Sequence, residues 1–230
     1  YDIDRAVAMI QHSQKPVFLV GGGVILSETT KYLEDIVNTM KIPVVTTLMG
    51  KGAIPDSHEL HLGMGGMHGS YASNKAISSC DLLIALGARF DERLTSRADT
   101  FAPNAQIIHF EIDDVEIDKI IDIDLGIKGD LRWSLPIFAK KLKEGAFDYG
   151  AAFADWRHEV LAMKKSHPFA TPPRPGCISP QSIFAAVRDI TRDDDTVAIT
   201  DVGQHQMWAA QFFTTDEPKH FISSGGLGTM

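Results

Sequence analysis

The densest group of polar side chains follows a short apolar strand late in the chain. There, Asp201-Val-Gly-Gln-His-Gln-Met-Trp208 joins a glycine turn to two glutamines and a histidine, and a second glycine-rich turn, Ser224-Gly-Gly-Leu-Gly-Thr-Met230, follows. In parallel α/β sheets, ligands bind at the carboxyl ends of strands, where such turns lie. His205 has the chemistry to contact a phosphate oxygen or to act as an acid or base, and a purely structural role is the alternative. The pattern predicts a cofactor site.

A second group that could bind a ligand follows a predicted buried strand, where Arg89, Asp91 and Arg93 alternate along the chain. Two guanidinium groups beside glycine amides suit a diphosphate or a carboxylate. The alternative is a surface network formed with the neighbouring charged residues Glu92, Arg97 and Asp99.

Glycine turns and a flexible loop supply further candidates. Gly21-Gly-Gly23 lets backbone amides approach a phosphate or ribose, although it is neither the dinucleotide fingerprint nor a P-loop, and a plain strand-to-helix turn is the alternative. Met64-Gly-Gly-Met-His-Gly69 predicts a loop whose methionines form an adaptable surface for a flat ring, or else a linker with a buried Met. Glu111 and Gly129-Asp130 end two strands; Glu111 could accept ribose hydroxyls, or both could be ordinary strand ends.

The elements that position these residues alternate between strand and helix, which predicts an α/β domain with a mostly parallel sheet. Helix patterns carry Ile3, Val7 and Ile10 on one face, with Ser27 as the cap of the next helix. The five predicted strands are apolar runs at residues 17–20, 43–47, 81–86, 106–112 and 124–128.

The alternation of strand and helix patterns stops between residues 145 and 176, and Ser166–Gly176 contains four prolines, which disfavour regular secondary structure. We therefore predict a central α/β domain over residues 1–145, a linker over 146–176, and an incomplete second α/β domain over 177–230. In that second domain Ser179 is predicted to cap a helix that buries Ile183, Val187 and Ile190.

Composition excludes several classes of function. A formal net charge of −8 without a basic stripe argues against a nucleic-acid partner. The sequence contains no run of eighteen apolar residues, so we predict no membrane-spanning helix in it. Cys80 and Cys177 predict two reduced thiols in a cytoplasmic protein, and no metal-ligand spacing or nucleophile elbow is visible. The chain lacks an initiator Met and stops inside its second glycine-rich turn, so we expect a piece of an enzyme.

Four motifs in this order resemble the large catalytic subunit of acetohydroxyacid synthase, also called acetolactate synthase. They are Gly66-Met-His-Gly69, Gly87-Ala-Arg-Phe-Asp-Glu-Arg93, Gly203-Gln-His-Gln-Met-Trp208 and Ser224-Gly-Gly-Leu-Gly-Thr-Met230. The resemblance covers the whole chain. It implies a Rossmann-like parallel-sheet central domain of the thiamine-diphosphate enzymes, followed by the opening of the thiamine-diphosphate domain.

The resemblance implies that the central domain binds FAD, in an extended pose and with a structural role. The matching positions are Gly21, Gly22, Gly23, Thr47, Leu48, Met49, Gly66, Met67, His68, Gly87, Arg89, Asp91, Arg93, Glu111, Ile112, Gly129 and Asp130.

The resemblance also implies thiamine diphosphate with Mg²⁺, used to decarboxylate pyruvate and join the two-carbon unit to a second 2-ketoacid such as 2-ketobutyrate. Positions near that cofactor are Val202, Gly203, Gln204, His205, Gly228 and Met230. Met67 and Arg93 match substrate-channel positions, where the Arg would attract a ketoacid carboxylate. The resemblance further implies a homodimer or tetramer that binds a regulatory small subunit.

Departures from the family pattern limit what these residues do alone. The catalytic glutamate and the Gly-Asp-Gly segment that holds Mg²⁺ match no position here, so no catalytic or metal residue is assigned and the 230 residues alone are expected to be inactive. Glu92 replaces a commoner Asp and Gly65 a larger apolar residue, changes expected to loosen local packing. Alternatives are another carboligase such as glyoxylate carboligase, a flavin-free acetolactate synthase, or a non-catalytic flavin-binding module.

Overall fold

The computed structural model of the protein describes residues 2–170, 175–191 and 195–225. The described strands are β1 Pro16–Val20, β2 Val44–Thr46, β3 His61–Met64, β4 Leu82–Leu86, β5 Gln106–Glu111, β6 Leu125–Lys128, β7 Ala198–Thr200 and β8 Phe221–Ser223. The described α-helices are α1 Asp2–His12, α2 Gly22–Leu26, α3 Thr30–Met40, α4 Tyr71–Ser79, α5 Glu92–Thr95, α6 Leu131–Lys143, α7 Tyr149–Ala152, α8 Ala154–Ser166, α9 Pro180–Ile190 and α10 Gln204–Phe212.

Six parallel strands form one sheet in the order β3-β2-β1-β4-β5-β6. The central strands β1 and β4 are buried at every position, because helices cover both faces of the sheet, and their sequences are therefore continuous apolar runs. Phe18 of β1 lies between Val44 on one side and Ile84 on the other. The strand order reverses between β1 and β4, which makes this pair the topological switch point. The predicted α/β class with a parallel Rossmann-like sheet is confirmed.

Two apolar layers hold the helices against this sheet. Helices α1, α3 and α6 pack on one face around fully buried rings such as Phe18, Phe110 and Phe138. Helices α4 and α8 cover the other face. Trp156 of α8 also donates a hydrogen bond from Nε1 to the Pro16 carbonyl at 3.0 Å. Residues 149–166 therefore fold onto the first sheet as two helices, while the predicted domain limits remain a prediction.

One strand of the sheet was missed by the sequence prediction. Strand β3 pairs with β2 and ends at Met64, a residue that the sequence pattern places in a loop. The segment carries His61 and Gly63 in place of an apolar run, so it has little intrinsic strand signal. Its edge carbonyls accept hydrogen bonds from the Ser70 and Ser73 hydroxyls, which satisfy backbone groups that another strand would otherwise satisfy.

The predicted cap at Ser27 is also wrong. Ser27 ends the short helix α2, and α3 begins three residues later after Thr29. The two hydroxyl oxygens lie 2.8 Å apart, and each lies within 3.3 Å of the Val24 carbonyl oxygen, so one hydroxyl donates to the other and the second donates to Val24. They close a tight turn between two helices, where the sequence suggested a single helix start.

The second unit is small and contains α9, α10 and the parallel pair β7-β8. The predicted Ser179 cap is confirmed, since its hydroxyl accepts from the Ser182 amide. The predicted buried face of α9 is wrong: Ile183 is 51% exposed and Ile190 is 79% exposed. Only Phe184 and Val187 of this helix pack against the local apolar cluster, so the rest of the stripe faces outward within the described chain.

Candidate cofactor site

The carboxyl ends of the six parallel strands meet along one edge of the sheet, and the predicted flavin residues of the first unit follow those ends. The turns after β1, β2, β3, β4, β5 and β6 supply the residues in chain order. They are Gly21 to Gly23, Thr47 to Met49, Gly66 to His68, Gly87 to Arg93, Glu111 with Ile112, and Gly129 with Asp130.

At the switch point, two glycine turns pack backbone against backbone. A Cβ added to Gly21 would lie 2.1 Å from the Gly87 carbonyl oxygen, and one added to Gly23 would lie 2.8 Å from the Gly87 Cα. The Gly21 amide donates to Leu86, and the Gly23 amide donates to Gly87. These two amides are therefore engaged within the protein, and the missing side chains permit close contact between the β1 and β4 turns.

The turns after β3 and β4 form one continuous surface through Met67 and Arg93. The Met67 amide donates to the Arg93 carbonyl at 2.9 Å, and the Arg93 Nη1 lies 3.7 Å from the Met67 Sδ. Gly66 sits directly against this turn, since an added Cβ would lie 2.5 Å from the Arg93 carbonyl oxygen. An exposed thioether beside an exposed guanidinium can contact a ligand that has both an apolar and an anionic part.

The neighbouring Gly65 is tightly packed, which corrects the expectation of loosened packing at that position. An added Cβ would lie 2.8 Å from Val45 Cγ1 and 3.0 Å from Ile77 Cδ1. A larger apolar residue would require these side chains to move.

Arg89 and Asp91 are directed by the turn after β4. The Asp91 side chain caps α5 by accepting from the Leu94 amide at 3.1 Å, while its other oxygen lies 4.0 Å from Arg89 Nη2. Arg89 is 68% exposed at its side chain, so its guanidinium is available to a ligand. The alternative was a surface network that includes Arg97 and Asp99. It is only partly present, because Arg97 and Asp99 pair with each other and not with Arg89 or Asp91.

Glu111 ends β5 with its carboxylate half engaged. Its Oε1 accepts from the Ile112 amide at 2.8 Å and the Asp113 amide at 3.2 Å. The Oε2 atom lies 3.7 Å from Nε2 of the fully buried His109. Ile112 itself is 63% exposed beside this carboxylate. The pair offers a hydrogen-bond acceptor next to an apolar contact, which suits a ribose joined to a flat base.

Asp130 caps α6 and pairs with Arg132, a residue that the sequence analysis missed. Arg132 donates to Asp130 Oδ2 from Nε at 3.0 Å and from Nη2 at 2.8 Å. The Arg132 hydrogen bonds lower the pKa of Asp130. The spacing of two residues after a capping Asp was the available sequence signal. Gly129, at φ +151°, has open space around it, so this end of the edge is free for a ligand.

The turn after β2 links the two units. Thr47 Oγ1 accepts from the Gly50 amide at 3.1 Å and fixes the Leu48–Gly50 turn, which leaves Met49 53% exposed. A Cβ added to Gly225 would lie 3.2 Å from the Met49 Sδ. The second glycine-rich turn therefore begins against the predicted flavin edge.

The residues predicted to contact thiamine diphosphate lie at the start of α10. Gly203 is the N-cap of this helix with φ +149°, and Gln204 and His205 are exposed in its first turn. Free amides at a helix N-terminus attract phosphate oxygens. Val202 is half-buried just before the turn, and the predicted residues Gly228 and Met230 lie outside the described residues.

Helix α10 is held by hydrogen bonds to the first unit and within its own unit. Gln211 Nε2 donates to the His68 carbonyl at 3.0 Å, which connects the helix to the turn after β3. Gln206 is buried and donates from Nε2 to Ser223 Oγ at 2.7 Å. The predicted polar run at 204–206 thus divides into two exposed residues and one structural residue, Gln206.

A buried polar cluster that sequence reasoning missed lies between the units. Asp56 accepts from Lys51 Nζ at 2.6 Å and from the Thr215 amide at 2.9 Å, and lies 3.3 Å from His61 Nδ1. The other ring nitrogen of His61 lies 3.1 Å from Thr46 Oγ1. Burial raises the pKa of Asp56, but the His61 hydrogen bond and the Lys51 charge outweigh it and lower the pKa to about 2.

Two negative findings apply to residues 2–170, 175–191 and 195–225. No group of three or more His, Cys, Asp or Glu side chains is arranged to hold a metal ion. No helix in these ranges is long and apolar enough to cross a membrane.

The six-stranded parallel sheet is consistent with the family models that match the chain. Residues 3–137 match the thiamine pyrophosphate enzyme central domain, and residues 201–230 match the C-terminal TPP binding domain of the same enzymes. The chain therefore belongs to the thiamine pyrophosphate enzyme family.

Within that family the chain is similar to acetolactate synthases. It is 45% identical to the acetolactate synthase large subunit of Parasynechococcus marenigrum, over 99% of this chain and 37% of the relative. It is 43% identical to the large subunit of Porphyra purpurea, over 98% and 38%, and 42% identical to the acetolactate synthase of Mycobacterium bovis, over 99% and 37%. The chain spans little more than a third of the length of these relatives.

Proposed function

We propose that this chain is part of the catalytic subunit of a thiamine-diphosphate-dependent acetolactate synthase. Such an enzyme decarboxylates pyruvate and joins the two-carbon unit to pyruvate or 2-ketobutyrate, in branched-chain amino acid biosynthesis. One observation carries the proposal: identity of 42–45% with proteins of that name runs over 98–99% of the chain. Both the flavin edge and the Gly203 turn fall inside the matched region. The same proposal includes that the whole protein forms a homo-oligomer with a regulatory small subunit and is located in the cytoplasm.

The residues of the first unit fit FAD as a structural cofactor. Glu111 Oε2 supplies an acceptor for ribose hydroxyls, and the exposed guanidinium of Arg89 supplies charge for the diphosphate. The exposed side chains of Met49 and Ile112 supply apolar contacts for flat rings. The open surroundings of Gly129 support placing one end of an extended ligand there.

The second unit fits the diphosphate of thiamine diphosphate, which when bound supplies the carbanion chemistry of decarboxylation. Gln204, His205 and the α10 amides present donors to phosphate oxygens. Arg93 is placed to attract a ketoacid carboxylate, with Met67 as the apolar wall beside it. No Mg²⁺ ligand is assigned, and we expect no turnover from the 230 residues alone.

The first experiment is a titration of the chain with FAD, followed by quenching of flavin fluorescence. Saturable quenching supports the flavin edge and disfavours a flavin-free relative. Acetolactate formation from pyruvate, thiamine diphosphate and Mg²⁺ is then measured on the chain and on the full-length protein. Turnover by the full-length protein supports the synthase. A full-length protein that condenses glyoxylate instead of pyruvate would favour the carboligase alternative.

A further inference from the structure

A buried histidine lies directly beneath the flavin edge. His109 is fully buried in β5, two residues before Glu111 and on the same face of the strand. Its ring meets Phe90 edge to face, with centroids 4.9 Å apart. Phe90 stands between Arg89 and Asp91, so the histidine supports the turn that carries these charged residues.

The hydrogen bonding of His109 fixes its tautomer. Nε2 lies 3.0 Å from the Ala88 carbonyl oxygen, and because a carbonyl only accepts, Nε2 carries the hydrogen. The Nδ1 atom is buried and has no hydrogen-bond partner among the described residues. Burial lowers the pKa of His109 in spite of the nearby Glu111 carboxylate. The imidazole is therefore neutral near pH 7, with a single N–H on the side of the site.

That N–H is donated to the Ala88 carbonyl, directly before Arg89. Glu111 Oε2 lies 3.7 Å from Nε2, beyond hydrogen-bond distance, so the polar side of the ring lies beside the carboxylate without a bond to it. The other carboxylate oxygen is already held by the amides of Ile112 and Asp113. Glu111 is only 8% exposed, so the orientation of its carboxyl group is set by these neighbours and by His109.

We propose that His109 is a positioning residue for the cofactor site, holding the Glu111 carboxylate and the Arg89–Asp91 turn in register. The proposal rests on the proposed function, since it assigns the ribose of a flavin dinucleotide as the group that Glu111 receives. His109 does not touch the ligand. It acts through its Nε2 hydrogen and through the contact of its ring with Phe90.

The test compares two substitutions at this position in the 230-residue chain. Gln places its amide nitrogen where His has Nε2, so His109→Gln retains a donor, whereas His109→Leu removes it. We expect the FAD dissociation constant to rise ~5-fold in His109→Leu and to stay within ~2-fold in His109→Gln. Ile107→Val changes packing on the same face of β5 without touching the hydrogen bond, and should leave FAD affinity unchanged.

Two readouts do not depend on flavin. Long-range ¹H–¹⁵N spectra should show His109 as the neutral Nε2–H tautomer near pH 7.5, because its pKa is lowered from the ordinary value. Hydrogen exchange at the Ile112 and Asp113 amides should accelerate ~5-fold in His109→Leu, because the carboxylate that accepts from them becomes mobile. His109→Gln should restore slow exchange if the donor is what matters.

The outcomes separate this proposal from the proposed function. If the wild-type chain and the full-length protein do not bind FAD, the flavin assignment is wrong, and the exchange readout alone decides the role of His109. If His109→Leu folds with unchanged exchange at Ile112, or if the spectra show an Nδ1–H tautomer, the positioning role is refuted whatever the flavin result. Equal loss of affinity in His109→Leu and Ile107→Val would also refute it.

Discussion

Replacing Asp56 by Asn removes the one carboxylate of the buried cluster that joins the two units. The substitution preserves size and leaves one oxygen to accept from the Thr215 amide. It also leaves Lys51, which is 6% exposed, without the carboxylate that lies 2.6 Å from its Nζ. A buried ammonium that loses its partner is strongly destabilising.

The magnitude follows from the pKa of Asp56. A folded pKa of about 2 against the ordinary 3.8 corresponds to ~2 kcal/mol of stabilisation of the charged carboxylate. Desolvation of the uncompensated Lys51 adds to this, so we expect a loss of ~3 kcal/mol near pH 7. Because the folded pKa is lowered, this stability is present above about pH 4 and is lost as pH falls toward about pH 2.

The assay is urea unfolding followed by far-UV circular dichroism and tryptophan fluorescence. Asp35→Asn is the matched control, because Asp35 pairs with Lys143 at 2.6 Å but both side chains are half exposed. The control should change the free energy of unfolding by no more than ~0.5 kcal/mol. Adding Lys51→Met to Asp56→Asn should recover part of the loss, since it removes the unpaired charge. A loss in Asp56→Asn equal to that of the control would show that the cluster is not a buried ion pair in solution.

Three further changes test other parts of the structure. Gly21→Ala should cost ~3 kcal/mol or prevent folding, because its Cβ would overlap a carbonyl oxygen at 2.1 Å, whereas Gly145→Ala has room and should be near neutral by thermal melting. The free energy of unfolding should fall as pH drops below about 6.5, because the pKa of His109 is lowered in the folded state and the unfolded chain therefore takes up the proton first. His109 contributes at most ~1.4 kcal/mol per pH unit to this fall. Equal slopes of unfolding free energy against pH in wild type and His109→Leu would contradict the prediction. Arg89→Ala and Arg93→Ala should each weaken FAD binding ~10-fold in fluorescence titrations of the folded chain, and unchanged affinity in both would remove them from the site.

The sequence predicted the central strands of the sheet well, because strands that are buried on both faces have continuous apolar sequences. Strands β1 and β4 are such runs, and both were found. Strand β3 was missed because His61 and Gly63 interrupt its apolar character and its stability comes from pairing with β2. The exposed face of α9 was misjudged because periodicity reports an apolar stripe, and only the neighbouring elements decide whether it is covered.

The candidate site was predictable in outline because turns after parallel strands must share one edge. What could not be predicted depends on contacts between distant segments. Asp56 meets the Thr215 amide across 159 residues, and Gly21 meets Gly87 through a fit of backbone to backbone. The Arg132 pairing with Asp130, by contrast, is local, and the spacing of two residues after a capping Asp was a signal for it.

The contact of Gly21 and Gly23 with Gly87 determines the shape of ligand that the edge can accept. In many doubly wound sheets the crevice at the switch point receives a phosphate deeply. Here the two turns pack backbone against backbone, so the proposed flavin dinucleotide would lie across the strand ends and gain affinity from many shallow contacts. Its recognition would then depend on its length, because a mononucleotide would span only part of the row from Met49 to Asp130 and would lose the contacts of the remaining part.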